Sequence, residues 1–109
     1  MSLEPKLTLV GGTVGVPPDK SVTYLLGAYR GEVLVAIKIG KATRGRVTRR
    51  LRTLQTGCVD KLRILAVFDG GNLERELHRR FAKHRVAGEF FAPAEVLNWL
   101  NTRETPTTE

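Results

Sequence analysis

The chain has 109 residues, 41% of them hydrophobic and 27% charged, enough for one hydrophobic core but not two, and too apolar for wholesale disorder. Its longest apolar runs, Val33–Ile37 and Ile64–Phe68, fall far short of the ~20 residues that span a bilayer. Eighteen Lys and Arg against eleven Asp and Glu give a net charge of +7, which points towards polyanionic partners. In chain order, residues 1–20 carry Gly11-Gly12, Gly15 and Pro17-Pro18 and read as an irregular lead-in, with Leu7–Val10 as a possible edge strand. Ser21–Tyr29 and Val33–Ile39, both rich in β-branched and aromatic residues and joined at Arg30-Gly31-Glu32, read as a hairpin. Val47, Leu51 and Leu54 then recur at helical spacing, with Gly57 just past the stripe. Leu62–Phe68 is a third strand, and Asp69-Gly70-Gly71-Asn72 ends it, with Asn72 as N-cap of an amphipathic helix over Leu73–His84. Gly88-Glu89-Phe90-Phe91 reads as a connector. Pro93 opens a last helix carrying Val96, Leu97, Trp99 and Leu100, and Thr102–Glu109 reads as a disordered polar tail.

The expected fold is therefore α+β: a small three-stranded, mainly antiparallel sheet flanked by three helices in the order β-β-α-β-α-α, with the domain proper over 21–101. The N-terminus has neither the charged segment nor the apolar stretch of a signal peptide. A single cysteine, Cys58, excludes an internal disulfide and a Cys-cluster zinc site, so a reducing, cytoplasmic setting is expected. The charge is unevenly spread. Residues 21–60 hold eight basic and two acidic side chains, whereas 1–20 are balanced and 61–109 hold eight and seven. The excess thus falls on the hairpin and the first helix, where Gly40, Lys41, Arg44, Arg46, Arg49 and Arg52 are the candidate nucleic-acid contacts; the plainer reading is a basic, soluble surface.

Five short segments stand at the edges of these elements: Val22-Thr23-Tyr24, Lys38-Ile39-Gly40-Lys41, Arg50-Leu51-Arg52-Thr53-Leu54-Gln55-Thr56-Gly57, Glu74-Arg75-Glu76-Leu77-His78-Arg79-Arg80-Phe81 and Gly88-Glu89-Phe90-Phe91. In this order, over roughly Ser21 to Leu100, they resemble the GIY-YIG nuclease superfamily, in its branch of small phage and bacterial proteins that carry Lys-Ile-Gly in place of Tyr-Ile-Gly. The resemblance implies a metal-bound phosphodiester cut by water, with Tyr24 near the nucleophile, Arg50 on the phosphate and Glu74 holding one divalent metal, Mg²⁺ or Mn²⁺. Lys38 and His78 complete the implied catalytic set. The first motif keeps only its tyrosine and the second carries Lys38, which leaves open whether Tyr24 or Lys38 activates the water.

Each residue also has an ordinary reading. Tyr24 suits a half-buried strand position, and Lys38 an exposed strand end. Arg50 is one of four arginines around the first helix, with Arg49 as its rival. Glu74 suits the first turn of a helix by dipole alone. His78, four residues on, shares its face. Glu89 has no assigned role. The resulting expectation is a metal-dependent endonuclease with weak intrinsic sequence specificity, acting on DNA ahead of RNA, without a membrane partner, and taking any added specificity from a protein partner. The alternatives are a non-catalytic nucleic-acid-binding module on the same fold, or a small basic regulatory protein that docks an acidic partner. Tyr24, Lys38, Arg50, Glu74 and His78 are expected to line one concave face.

Overall fold

The computed structural model describes residues 7, 8 and 19–104. The elements are β1 (Leu7–Thr8), β2 (Ser21–Arg30), β3 (Val33–Thr43), a 3-10 turn over Arg44–Arg46, α1 (Val47–Thr56), β4 (Lys61–Asp69), α2 (Asn72–Arg80), a second 3-10 turn over Ala82–His84, β5 (Arg85–Ala87), β6 (Phe90–Phe91) and α3 (Pro93–Glu104). Among the described residues the strands form one antiparallel sheet in the order β1-β4-β2-β3-β6-β5. The expected three-stranded sheet and its β-β-α-β-α-α order are therefore corrected. The class is α+β with three helices, but three strands of two or three residues extend the sheet at both edges. Such strands carry no periodicity; their pairing partners define them.

Most of the expected lead-in lies outside the described residues, but Leu7–Thr8 pairs with Phe68 and Val67 of β4. Of the expected tail, residues 102–104 continue α3 and 105–109 lie outside the described residues. Two smaller expectations also shift. Asn72 is the first residue of α2, Gly71 occupies the cap, and no side chain caps the helix. The helix expected to run to His84 stops at Arg80 and tightens into the Ala82–His84 turn.

β2 is buried from Val22 to Ala28 because both faces of the sheet are covered. Its alternating side chains feed two separate cores. Val22, Tyr24 and Leu26 join Val67 and Val47, the last of these on α1, with Leu51, Leu54 and Ile64 at the margin. On the other face Leu25, Ile37, Ile39, Ala66 and Phe68 pack against Leu73, Leu77 and Phe81 and against Val96, Trp99 and Leu100. Thus α1 covers one face and α2 with α3 the other. Trp99 lies against both Phe68 and Phe81, with ring centroids 5.3 and 6.4 Å apart, as its helical spacing implied.

Gln55 ties off α1. Its side-chain nitrogen donates to the carbonyls of Cys58 and Asp60, and its oxygen accepts from Leu62 N–H at 2.7 Å. One amide thereby satisfies two carbonyls of the irregular backbone between α1 and β4 and an N–H at the start of β4.

Candidate active site

The site forms at the edge of β3, beyond the two residues, Ile37 and Lys38, that pair with β6. Past that point the Ile39 backbone is served by two other elements. Its N–H donates to the Glu89 carbonyl at 3.1 Å, and its carbonyl accepts from His78 Nε2 at 2.8 Å. A carbonyl can only accept, so this contact puts the ring hydrogen on Nε2. His78 pins α2 to the sheet edge and also sits edge-on to Phe91, 5.0 Å between centroids.

Tyr24 pairs across the sheet with Gly40. A Cβ at residue 40 would lie 2.5 Å from both Cζ and Oη of Tyr24. The ring therefore rests on bare backbone, and the glycine is required by close approach rather than by a turn. Gly40 is buried here, so its backbone supports the phenol. Burial pushes the Tyr24 hydroxyl above the usual phenol range near 10; the Arg50 guanidinium pulls the other way, and the Glu89 and Glu74 carboxylates add to the rise. Those three charges come from three different elements, α1, the β5–β6 turn and α2. α2 covers the face opposite Tyr24, yet its Glu74 acts on the phenol around the β3 edge.

Lys38 is buried in β3, 9% exposed, beside Leu26 on the α1 face. Its ammonium donates to Glu89 Oε1 and stands 5.7 Å from the Phe90 ring centroid. Glu89 follows Gly88, whose φ of +53° makes the tight β5–β6 turn that a side chain would disfavour. Glu74 Oε2 lies 3.4 Å from His78 Nε2. Glu74, His78 and Glu89 each offer a ligand atom within 4.8 Å of the others. With His78 Nε2–H committed to Ile39, the carboxylate oxygens are the donors best placed for a cation, and oxygen donors suit Mg²⁺ or Mn²⁺.

Arg50 lies on α1 beside Arg49. It stands three residues after Val47 and four before Leu54, at the margin of the stripe that packs on the sheet, where its charge reaches Tyr24. Arg46, Arg49 and Arg52 are exposed around α1. Lys41 lays its stem beside Gly71 at the start of α2, where a Cβ would meet its Cδ at 2.9 Å. Arg44, half-buried on the 3-10 turn, donates its backbone N–H to Lys20 at 2.8 Å.

Tyr24, Lys38, Glu74 and His78 thus meet at one sheet edge, and Arg50 bears on Tyr24 from α1. Glu89 is the residue that sequence reasoning left without a role; its signal was an acid between a turn glycine and two phenylalanines, of which Phe91 is buried in the core. A cleft at the α2–α3 crossing, lined by Arg80, Phe81, Glu95, Asn98, Trp99 and Thr102, contains none of these groups. No helix among the described residues is long and apolar enough to cross a membrane. No curated protein and no solved structure matches the chain. Residues 21–104 match the family model described as the T5orf172 domain. This span takes in every group at the β3 edge, and the chain belongs to the T5orf172 domain family, a nuclease-like, phage-associated family.

Proposed function

We propose that the chain is a metal-dependent endonuclease of GIY-YIG type that hydrolyses nucleic-acid phosphodiester bonds, DNA first, with little sequence preference of its own. The observation that carries this reading is the grouping around one strand edge of a phenol on a glycine, a carboxylate–imidazole pair and an arginine whose field reaches the phenol. Glu74 would hold the divalent cation, with Glu89 the nearest further carboxylate. Bound there, the cation supplies Lewis-acid polarisation of the phosphate.

The chain's own residues do the rest. Arg50 presents a planar, permanently charged fork to the phosphate as charge builds on it. The Tyr24 hydroxyl keeps its proton at neutral pH, because its ionisation is pushed upwards, and orients the attacking water by hydrogen bonding. His78 fixes α2, and hence Glu74, at the required distance from β3. Arg46, Arg49 and Arg52 grip the backbone on the α1 side without reading bases, and Lys41 adds a charge beside the start of α2.

The test is a nicking assay on supercoiled plasmid and on a structured RNA, with Mg²⁺, Mn²⁺ or chelator. Metal-dependent nicking that chelator stops is the expected result. No cleavage under any metal, with binding that weakens steeply as salt rises, would favour the non-catalytic binding module. Gly40→Ala gives a second check. The added methyl must displace the Tyr24 ring, and displacing a positioning group by ~1 Å costs on the order of 10²-fold in rate. A Gly40→Ala protein that folds, binds DNA normally and nicks at full rate would remove Tyr24 from the reaction.

A further inference from the structure

We propose that Lys38 and Glu89 form an exchangeable ion pair: Lys38 occupies Glu89 in the free protein, phosphate takes over the ammonium, and the released carboxylate turns to join Glu74 on the metal, so that metal and nucleic acid bind cooperatively. This rests on the nuclease reading, whose cation site it refines.

Three observations carry it. Glu74, His78 and Glu89 bring their ligand atoms within 4.8 Å of one another, while the Glu89 carboxylate accepts from Lys38. An ammonium on that carboxylate offsets its charge, so a divalent cation at Glu74 contends with a resident cation. The two partners differ in freedom. The Lys38 side chain is 11% exposed and the Glu89 side chain 47%. The Glu89 backbone is fixed by the bond from Ile39 N–H, so its carboxylate can turn on an anchored main chain while Lys38 stays at the strand edge. Finally, His78 Nε2–H is engaged by the Ile39 carbonyl, which leaves a second carboxylate as the natural addition to Glu74 for a cation that prefers oxygen.

Coupling of this kind is reciprocal: whatever factor DNA adds to metal affinity, metal adds to DNA affinity. The experiment measures Mn²⁺ affinity by electron paramagnetic resonance of the free ion, with and without a short phosphorothioate duplex, for the unmutated protein, Lys38→Met and Glu89→Gln, each checked for folding by circular dichroism. In the unmutated protein the duplex should tighten Mn²⁺ about tenfold, within the roughly 5- to 150-fold usual for coupled sites. Lys38→Met should bind Mn²⁺ about tenfold more tightly without DNA and gain little from the duplex. Glu89→Gln should bind Mn²⁺ weakly in both conditions. Equal Mn²⁺ affinity in the unmutated protein and Lys38→Met, or a duplex effect undiminished in Glu89→Gln, overturns the exchange. If plasmid is nicked but Lys38→Met leaves Mn²⁺ affinity unchanged, the exchange fails and the nuclease reading stands. If Mn²⁺ behaves as expected and no plasmid is cut, the nuclease reading fails and the exchange stands.

Discussion

Glu74→Ala should lower the cleavage rate by at least about 10³-fold and leave a folded protein that still binds DNA. The size follows from losing the carboxylate expected to hold the cation, together with the charge stabilisation that the cation brings to the phosphate. Stability should change little. Glu74 lies in the first turn of α2, where its dipole contribution is about 0.3–1 kcal/mol. For a domain of this size that is a shift in Tm of less than about 8 °C. The bond from His78 to Ile39 remains in place to hold the helix. DNA binding in chelator should tighten slightly, since a negative charge facing phosphate is gone. Glu76→Ala, exposed two residues along, is the control and should cut normally. If Glu76 proves essential and Glu74 dispensable, the cation site is elsewhere and the contact with His78 is only structural.

Arg50→Ala should reduce the cleavage rate by about 10²–10³-fold, the usual consequence of removing one group aimed at developing charge. Arg49→Ala and Arg52→Ala should instead cut at near-normal rate once saturated. Each should weaken binding to all sequences alike and shallow the salt dependence by about one unit. A second readout separates the arginines without any cleavage. The Arg50 charge holds the Tyr24 phenol down against its burial. Removing that charge raises the phenol further, so the alkaline spectrophotometric titration should move to higher pH in Arg50→Ala and stay put in Arg49→Ala. Equal effects of Arg49 and Arg50 on both rate and titration would mean that α1 contributes only a diffuse positive field.

The long strands and the helices were legible in the sequence because each has enough residues to show a period or an unbroken apolar run. Ser21–Tyr29 and Val33–Ile39 announce a hairpin, whose strands run on to Arg30 and Thr43, and Val47, Leu51 and Leu54 announce a helix face. β5 and β6 were not legible, because Arg85–Ala87 is exposed throughout and Phe90–Phe91 is two residues long; only their pairing to one another and to β3 makes them strands. The same limit hid the partner of Lys38. Glu89 is 51 positions away, and no local pattern links a strand lysine to an acid in a turn. The glycine of the Lys-Ile-Gly segment was noticed, but as a contact for nucleic acid. Its place beneath the Tyr24 ring depends on the β2–β3 register, which sets residue 24 opposite residue 40.

The contacts that assemble the β3 edge join distant parts of the chain: His78 reaches Ile39 across 39 positions and Lys38 reaches Glu89 across 51. Closing such separations costs more chain entropy than closing the hairpin or the helices. No nascent segment and no proteolytic fragment that lacks either α2 or the β5–β6 turn can carry the whole constellation. Under the proposed nuclease reading, activity would appear only once the β5–β6 turn has emerged from the ribosome, and a single nick between β4 and α2 that let the two parts separate would silence it.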